Sequence, residues 1–491
     1  MVTQLRVFLK RLATFHKMKV YHVSAEYYPA AKVGGLADVV GSLPAYQSKL
    51  GVDTSVIIPK YGTPWFDSQT YETKWSHTFW YPDETVTFTI LKVIDEARAE
   101  DLYVVDIPGK FDRAGVYSDE YGYFNDDAER WLSFQRAVLN WILHTESRPD
   151  LIHAHDYHTG LIPFMMQFSY DYSPLKEIST VYTIHNQQYH GAFGWDRQYL
   201  LPAFDTWKSG LLDWGERINP MAAGVKCADR VTTVSPSYLK ELKYDASGLE
   251  WLFDHYENKC VGILNGIDPI VWDPASDHYI DFHLKKSVAN FKKENKKKLA
   301  SFYDLDPKLP IVSFIGRMVD QKGADLLAQA MAQMLSDHQP ISFVILGTGD
   351  PQLEEQFRSL HTRYPDATGI TLAYDEGLAH RIYASSDFLI MPSRREPCGL
   401  NQMYAMRFGT IPIVHHTGGL IDSVIPYDRE QGTGIKFDEL NTAAVVAALH
   451  TAISLFENKK LLVNTINHCM QADFTWGASS QKYIELYEGI K

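Results

Sequence analysis

The sequence lacks several features that would mark special classes of protein. No apolar run approaches the roughly 20 residues that a membrane-spanning helix needs. The four cysteines, Cys227, Cys260, Cys398 and Cys469, lie far apart and form no C-x-x-C pair, which argues against a zinc ribbon and against a disulfide framework. Tandem repeats and low-complexity segments are absent as well. The cysteine usage fits a reducing compartment, so we predict a cytoplasmic location.

Basic residues are also fewer than acidic ones. The chain has 47 Lys and Arg against 60 Asp and Glu, and its formal net charge is −13. This balance argues against nucleic acid or an anionic membrane surface as a partner. An anionic small substrate would need Lys and Arg residues placed locally to overcome the overall negative field.

The first 17 residues differ from the rest in charge. They contain four basic residues and no acidic one, but they lack the apolar stretch of at least about 7 residues that a secretory signal requires. We expect Met18 to be the natural start and residues 1–17 to be a disordered extension. The alternative is a basic amphipathic helix or a targeting remnant, in which case the location would be a plastid or another organelle.

The pattern along the chain predicts an α/β fold. A length of 491 residues exceeds what one hydrophobic core usually supports, so two domains are expected. From Lys19 onwards, short runs rich in Val, Ile and Leu alternate with amphipathic stretches such as Ala324–Met334, as in parallel sheets covered by helices on both faces. This doubly wound pattern occurs twice. Strands are predicted at Val20–Ser24, Ser55–Pro59, Phe88–Val93, Tyr103–Ile107, Leu151–His155, Thr180–His185, Val231–Val234, Ile311–Ile315, Ser342–Leu346, Ile370–Ala373, Phe388–Met391 and Ile411–Val414.

Turn chemistry in Val261–Asp273 indicates the joint between the domains. We predict an N-terminal domain over residues 18–262, a C-terminal domain over residues 263–472, and a last helix within residues 473–491 that docks on the N-terminal domain. The lysine-rich tract Lys285–Lys298 is interpreted as a solvated helix face.

Two glycine turns, Lys32–Val39 and Ser393–Gln402, lie in different halves of the chain. Each follows a strand-like run and precedes a helix-like stretch, so each offers backbone N–H groups and a helix N-terminus to an anion. We interpret the two turns as half-sites of one cleft.

With several further phrases, these turns resemble bacterial glycogen synthases and plant starch synthases, which form glycosyltransferase family 5. The phrases occur in the family's order, and the resemblance runs from about Met18 to the C-terminus. They are Lys32–Val39, His153–Asp156, Thr183–Asn186, Asn265–Asp268, Gly316–Arg317, Gln321–Gly323, Glu396–Gln402 and Thr417–Leu420.

The resemblance implies the GT-B architecture, in which two Rossmann-like doubly wound domains face a deep cleft. It also implies retaining transfer of glucose from a nucleotide sugar to the non-reducing end of an α-1,4-glucan, glycogen or starch. ADP-glucose is the expected donor, because the chain looks like the bacterial and plant enzymes. Neither a cofactor nor a metal ion is expected.

The reaction needs cations where negative charge builds on the leaving phosphate. Arg317 follows the predicted strand Ile311–Ile315 and Lys322 lies five residues further on, at the edge of a sheet where anions bind. A guanidinium holds two phosphate oxygens and an ammonium acts as a point charge, so together they can replace a metal ion. Lys32, Gly34 and Gly35 are expected to meet the donor or the acceptor from the opposite wall.

Glu396 precedes the second glycine turn. A carboxylate there would repel a phosphate, so we expect Glu396 to contact sugar hydroxyls; helix capping is the alternative. The N–H groups of Gly399, Leu400 and Asn401 are expected to face the distal phosphate. Cys398 is counted with these donor-binding residues of the turn, in a packing role and not as a nucleophile.

His153, His155 and His158 raise the question of a metal site, but the order H-x-H-D does not match a metallo-hydrolase, and metal binding is not predicted. Asp156 is the better candidate for catalysis, as a group that stabilises positive charge on the sugar or orients the acceptor hydroxyl. His185 ends the next strand, and the resemblance implies that it lies beside the sugar. A hydrogen-bonded core histidine is the alternative.

The resemblance extends to details of recognition. Tyr374 matches the position that stacks on the nucleotide base, and Asp38 and Asn265 are expected on the acceptor side. The chain departs from the usual family pattern at Tyr157, where many members have Trp, and at His415, where an Arg is common. Two other functions stay open: a catalytically silent glucan-binding or regulatory homologue, and a metal-dependent hydrolase.

Overall fold

The computed structural model describes residues 17–490, which divide into two compact units. Unit 1 comprises the chain up to Thr233 together with Leu242–Ile263 and the residues from Trp476 onwards, whereas unit 2 comprises Val234–Glu241 and Leu264–Thr475. These limits fall one and three residues from the predicted ones, and the assignment of residues 234–241 to unit 2 was not predicted. The extension predicted at residues 1–17 lies outside the described residues except for Lys17.

Unit 1 is built on a nine-stranded sheet that is parallel except at one edge. Its strand order is β11-β10-β9-β8-β1-β2-β5-β4-β3, and β3 and β4 form an antiparallel hairpin that joins β5. The central strands are buried on both faces, as their continuous apolar runs predict. The strands of unit 1 are β1 Lys19–Val23, β2 Asp53–Pro59, β3 Tyr71–Tyr81, β4 Glu84–Val93, β5 Asp101–Asp106, the small hairpin β6 Ser118–Asp119 with β7 Gly122–Tyr123, then β8 Leu151–His155, β9 Ser179–Ile184, β10 Arg230–Thr233 and β11 Cys260–Gly262.

Unit 2 carries a six-stranded, all-parallel sheet with the order β14-β13-β12-β15-β16-β17. The order reverses beside β12, which pairs with β13 on one side and with β15 on the other. This reversal is the topological switch point at which open α/β sheets bind ligands. The strands are β12 Ile311–Ile315, β13 Ser342–Leu346, β14 Thr368–Thr371, β15 Phe388–Met391, β16 Ile411–His415 and β17 Ile435–Phe437.

Helices connect the parallel strands, so the predicted doubly wound α/β fold is confirmed in both units. The α-helices are α1 Gly35–Lys49, α2 Pro64–Asp67, α3 Asp127–His144, α4 Ile162–Phe168, α5 Pro220–Cys227, α6 Pro236–Glu241, α7 Glu250–His255, α8 Val288–Phe302, α9 Ala324–Ser336, α10 Pro351–Arg363, α11 Glu376–Ser385, α12 Asn401–Arg407, α13 Gly418–Ser423, α14 Thr442–Glu457, α15 Lys459–Gln471 and α16 Trp476–Glu488. Short 3-10 turns occur at Tyr157–Thr159, Ser173–Leu175, Trp195–Leu200, Thr206–Leu211, Glu257–Lys259, Asp320–Lys322 and Pro365–Ala367.

The lysine-rich helix α8 corrects one prediction, because it is not solvated throughout. Lys292 and Lys296 are buried. The Nζ of Lys292 donates to the Oγ1 of Thr410 at 2.7 Å, and Lys296 forms an ion pair with Asp387 at 2.6 Å. These two lysines lie one helical turn apart and contact residues just before β16 and β15, so the buried face of α8 carries amine groups as well as the apolar side chains of Phe291 and Leu299.

The last helix, α16, packs within unit 1. Its buried side chains Trp476, Tyr483 and Tyr487 share a core cluster with Val39 and Leu43 of α1. None of the helices in residues 17–490 combines the length and the apolar character needed to cross a lipid bilayer.

Candidate functional site

In unit 2, two neighbouring strands bring the predicted phosphate-binding residues to one sheet edge. The parallel strands β12 and β15 are adjacent, so the segments that follow them, Gly316–Lys322 and Pro392–Asn401, leave the sheet at the same edge. The Nδ2 of Asn401 donates to the carbonyl of Ile315 at 2.7 Å, which fixes the start of α12 to the end of β12.

Lys322 and Glu396 are joined directly. The Nζ of Lys322 lies 2.8 Å from Oε1 and 2.6 Å from Oε2 of Glu396, and the hydroxyl of Ser393 also donates to Oε2 at 2.9 Å. The Glu396 residue is only 6% exposed, whereas a quarter of the Lys322 side chain is accessible. An ammonium has three N–H donors, so one N–H of Lys322 is left for a ligand.

The turn that carries Glu396 packs against the turn Thr417–Leu420. Gly418 has a positive φ of 48°, and a Cβ there would lie 2.0 Å from the carbonyl oxygen of Glu396. A Cβ at Gly419 would lie 2.1 Å from the carbonyl oxygen of Cys398. Only glycine permits this close approach, so Gly418 and Gly419 shape the turn that holds Glu396.

Cys398 is buried, and burial raises the pKa of its thiol to about 12. The residue is therefore a thiol at neutral pH, which fits packing and not nucleophilic attack. Asn265 hydrogen-bonds to Cys398 and is itself buried. The structure thus places Asn265 in unit 2, beside the predicted donor-binding turn, and its role on the acceptor side stays a prediction.

Arg317 and Tyr374 are exposed at the same edge of the unit 2 sheet. Arg317 follows β12, and Tyr374 lies between β14 and α11 with 76% of its surface accessible. An exposed aromatic ring can stack on a planar ligand. His415, at the departure from the family pattern, is buried, and its Nδ1 lies 2.8 Å from the carbonyl of Ser393.

In unit 1, Asp156 lies at the end of β8 with strained backbone geometry. Its φ is 56°, which is uncommon for a residue other than glycine and is a recognised feature of functional sites. Its Oδ1 accepts a hydrogen bond from the backbone N–H of His185 at 2.7 Å, and the N–H of Asn186 also donates to this carboxylate. Burial raises the pKa of Asp156 to about 7, although these hydrogen bonds act in the opposite direction.

His185 adjoins Asp156 because β8 and β9 are parallel neighbours. The residue is partly accessible, but its ring is desolvated, which lowers the pKa of the ring to about 3, so the ring is neutral at physiological pH. The Nε2 of His185 lies 3.0 Å from the Nδ1 of His155. Asp156 and His185 therefore lie together at the carboxyl edge of the unit 1 sheet.

A set of buried histidines deserves comparison with a metal site. Within residues 17–490, only His22, His153 and His155 bring three possible metal ligands together, with their ligating atoms within 4.8 Å of one another. All six ring nitrogens have hydrogen-bond partners at 2.5 to 3.1 Å. A metal ion would have to replace several of these hydrogen bonds, so the set fits a hydrogen-bonded core better than a metal centre. His158 lies apart, packed against Tyr117 and Trp131.

The first glycine turn differs most from its prediction. The Oε2 of buried Glu26 accepts hydrogen bonds from the N–H groups of Val33 at 2.7 Å and Gly34 at 3.0 Å, and Tyr117 donates to Oε1 at 2.6 Å. A carboxylate of the protein thus occupies the position predicted for an anionic ligand. Burial raises the pKa of Glu26, an effect that these three hydrogen bonds reduce.

The other predicted residues of the first turn lie close to Glu26 in sequence and structure. Lys32 forms an ion pair of 2.8 Å with Asp38, and both side chains are partly accessible. Gly34 and Gly35 begin α1, and a Cβ at either would meet no atom within 4 Å. Lys32 and the open face of the two glycines are therefore what this turn presents to a ligand.

Sequence reasoning missed Glu26, His22 and Gln47, which support these half-sites from within the protein. Glu26 is an acidic residue just after the buried strand β1, and this position could have identified it as a candidate site residue from the sequence. His22 and Gln47 lie inside a strand and a helix, where their spacing predicts core positions, so no local pattern distinguishes them.

Two family models match most of the chain. Residues 19–255 match the model described as starch synthase catalytic domain, and residues 295–467 match the model of glycosyl transferases group 1. A glycogen synthase of Flavobacterium johnsoniae is 46% identical over 96% of this chain and 99% of its own length. A glycogen synthase of Clostridioides difficile is 36% identical over 96% of this chain and its own full length.

Solved structures show the same similarity. The catalytic domain of starch synthase IV from Arabidopsis thaliana, solved with ADP and acarbose bound, is 31% identical with a TM-score of 0.85 and covers 96% of this chain and 99% of its own. Sucrose-phosphate synthase from Thermosynechococcus elongatus, with 19% identity and a TM-score of 0.61 over 96% of this chain and 99% of its own, shares the fold.

Proposed function

Because the chain belongs to the family of glycogen and starch synthases, glycosyltransferases with the GT-B fold, we propose that it transfers glucose from ADP-glucose to the non-reducing end of an α-1,4-glucan with retention of anomeric configuration. The observation that carries this proposal is the unit 2 half-site, where Lys322 is held by buried Glu396 and Arg317 is exposed at the same sheet edge.

Unit 2 holds the diphosphate of the donor in this proposal. Arg317 and the remaining N–H of Lys322 meet oxygens of the leaving phosphate, where negative charge grows as the bond to the anomeric carbon breaks. Glu396 keeps Lys322 in position, and the lone pairs of its carboxylate that Lys322 does not use accept hydrogen bonds from sugar hydroxyls. The glycine turn at Gly399–Asn401 supplies backbone N–H groups near the same phosphate.

Unit 1 supplies the groups for the sugar. In its ionised form, Asp156 stabilises the positive charge that develops on the glucosyl ring, or it orients the acceptor hydroxyl. His185 is neutral and forms a hydrogen bond to the sugar without carrying charge. Lys32 and the open face of Gly34 and Gly35 contact the donor or the acceptor.

Tyr374 favours the adenine nucleotide. Phosphates and glucose are common to ADP-glucose and UDP-glucose, so only the base contact discriminates between these donors. An exposed tyrosine ring buries more aromatic surface against a purine than against uracil. The ADP in the Arabidopsis starch synthase IV structure supports the same donor.

The test measures initial rates on a glycogen primer with each donor at sub-saturating concentration. We expect kcat/KM to favour ADP-glucose by at least about tenfold, which corresponds to about 1.4 kcal/mol. Tyr374→Ala should reduce this preference, while Tyr244→Ala, which removes another exposed tyrosine (85% exposed), should not. Equal rates with both donors would contradict the donor assignment, and absence of transfer from either donor would favour a silent homologue.

Retention is tested with the same assay. A donor labelled with ¹³C in its glucose should yield an α-linked residue, read from the anomeric NMR signal of the product. A β-linked product would exclude a retaining mechanism. Independence from a metal ion and a cytoplasmic location stay predictions; the first is checked by transfer after exhaustive chelation.

A further inference from the structure

The side-chain amide of Gln47, on α1, joins two series of buried hydrogen bonds in unit 1. Its Oε1 lies 2.8 Å from the Nε2 of His22, and its Nε2 donates to the hydroxyl of Tyr487 at 3.0 Å. Gln47 and His22 have no accessible surface, and Tyr487 has almost none. Water therefore does not compete for these bonds, and each polar group depends on its protein partner.

The first series, which we name the histidine wire, consists of Gln47, His22, His155 and His185. The Nδ1 of His22 lies 3.1 Å from the Nε2 of His155, and the Nδ1 of His155 lies 3.0 Å from the Nε2 of His185. Two imidazole rings, those of His22 and His155, thus connect the amide in α1 to the ring of His185 beside Asp156.

The second series, the tyrosine wire, starts at the other atom of the same amide. The hydroxyl of Tyr487 lies 2.8 Å from the Nδ1 of His153, and the Nε2 of His153 lies 2.5 Å from the Oγ1 of Thr183. Thr183 in turn shares a hydrogen bond with Thr232. This series ends within the sheet and not at the half-site.

Each histidine of the histidine wire is neutral, and this makes the wire directional. Burial lowers the pKa of His22 to about 4 and that of His185 to about 3, and it lowers the pKa of His155 well below its usual range. A neutral imidazole has one N–H donor and one acceptor nitrogen. If one ring nitrogen is the donor, the other nitrogen of that ring is the acceptor. The nitrogen of the next ring that faces this acceptor must then be a donor.

The amide sets the first role. A carbonyl oxygen only accepts, so the Nε2 of His22 carries a proton and its Nδ1 accepts from the Nε2–H of His155. The Nδ1 of His155 then accepts from the Nε2–H of His185. The amide N–H donates to Tyr487, whose hydroxyl is then free to donate to His153. The reversed amide would exchange donor and acceptor along both wires, so the tautomer of His185 reports the orientation of Gln47.

We propose that Gln47, acting through His22 and His155, is a positioning residue that holds His185 as the Nε2–H tautomer, so that its Nδ1 accepts a hydrogen bond from a sugar hydroxyl. In the opposite tautomer Nδ1 would donate, and the ring would select an acceptor such as a phosphate oxygen. The inference rests on the proposed function only in placing His185 beside the sugar.

The direct test is solid-state NMR of the full-length protein labelled with ¹⁵N-histidine, because protonated and unprotonated ring nitrogens resonate at separate frequencies. The His185 signals are assigned by their loss in His185→Gln. We expect one tautomer, with Nε2 protonated and Nδ1 unprotonated. An Nδ1–H tautomer, or a mixture of the two in the parent protein, would overturn the proposal.

Variants of Gln47 test the cause. Gln47→Leu removes the acceptor for His22, so His185 should show both tautomers, and kcat should fall about two- to tenfold while the KM for the donor changes little. Gln47→Glu supplies a carboxylate oxygen in place of the amide oxygen as the acceptor for His22. Unlike Gln47→Leu, it should therefore show the single tautomer and keep most of kcat. A single Nε2–H tautomer in Gln47→Leu would show that Gln47 does not set it.

Thr232→Val is the matched control, because it removes a buried hydrogen bond at the far end of the tyrosine wire. It should lower thermal stability without changing the His185 tautomer or kcat. If it changed both as Gln47→Leu does, a general loss of packing would explain the effect and the proposal would fail. The NMR measurement needs no turnover, so a protein without glucosyl transfer would contradict the proposed function and still report the tautomer.

Discussion

At the scale of single residues, the two cations of unit 2 differ in how they are held. Lys322 is bound to both oxygens of Glu396, whereas Arg317 is exposed at the end of its strand. A lysine that is held in advance loses less conformational entropy when a phosphate binds. An exposed arginine gains its geometry from the phosphate itself, through its planar pair of donors.

We expect Arg317→Ala and Lys322→Ala each to lower glucosyl transfer by about 100-fold or more, because each removes a group directed at developing negative charge. The measurement is kcat/KM with ADP-glucose on glycogen. Arg358→Ala removes an arginine that pairs with Glu354 on the surface of α10, and it should leave the rate unchanged. Near-normal turnover in both site variants would mean that the donor phosphates bind elsewhere.

Replacement of Asp156 is expected to lower activity and to raise stability. Its carboxylate is buried with a pKa near 7, against an ordinary value of 3.8, so the ionised form destabilises the folded protein. We expect Asp156→Asn to lose mainly kcat and yet to unfold at a higher temperature at pH 8. This gain should shrink as the pH falls from 7 towards 4, because the folded parent is then protonated while its unfolded chain is still ionised. Thermal melts of both proteins across this range check the sign; a constant difference would argue against the raised pKa.

At the scale of elements, strands were more predictable than the contacts of their ends. Leu151–His155, Ile311–Ile315, Ser342–Leu346 and Phe388–Met391 match the predicted bounds because a buried parallel strand is one continuous apolar run. The strand Tyr71–Tyr81 was missed because it contains exposed polar residues such as Glu72, Lys74 and Ser76 and therefore has no continuous apolar run. The partners Glu26 and Gln47 could not be predicted, because hydrogen bonds between segments far apart in sequence leave no local pattern.

Helix α8 gives a prediction of its own. Burial lowers the pKa of Lys292 to about 7, so the folded state loses this proton far more readily than the unfolded chain, whose lysine has an ordinary value of 10.5. Stability should therefore rise with pH from about 7 to 10. In Lys292→Met this part of the rise should disappear, and the variant should be at least as stable as the parent at pH 7.

The neighbouring Lys293→Met on the exposed face of α8 is the control for Lys292→Met, and it should keep the parent's pH dependence. Denaturant unfolding at several pH values measures both variants. Identical pH profiles for Lys292→Met and the parent would show that Lys292 is not desolvated.

At the scale of the whole molecule, the two units are not two consecutive halves of the chain. Unit 1 contains residues from both ends of the described chain, and α16 fills part of its core. We expect deletion of residues 476–491 to expose the buried side of α1 and to weaken unit 1, while unit 2 keeps its fold. Hydrogen exchange resolved by mass spectrometry should show lost protection in unit 1 peptides alone.

Adding back a synthetic peptide of residues 476–490 should restore part of this protection, which separates loss of a specific contact from general damage. Unchanged exchange in unit 1 after the deletion would show that α16 contributes little to its stability.

The position of α16 also has a consequence for synthesis of the protein. A ribosome that has finished Ile263 has made nearly all of unit 1, but the roughly 210 residues of unit 2 still separate it from Trp476. At ordinary elongation rates these residues take about 10 to 40 s. During that time α1 has no partner for the surface that Tyr483 and Tyr487 later cover, and Gln47 lacks the hydroxyl that accepts from its amide. The nascent first unit is therefore the stage at which we expect chaperones to bind this protein, and its tyrosine wire is completed only when the last helix arrives.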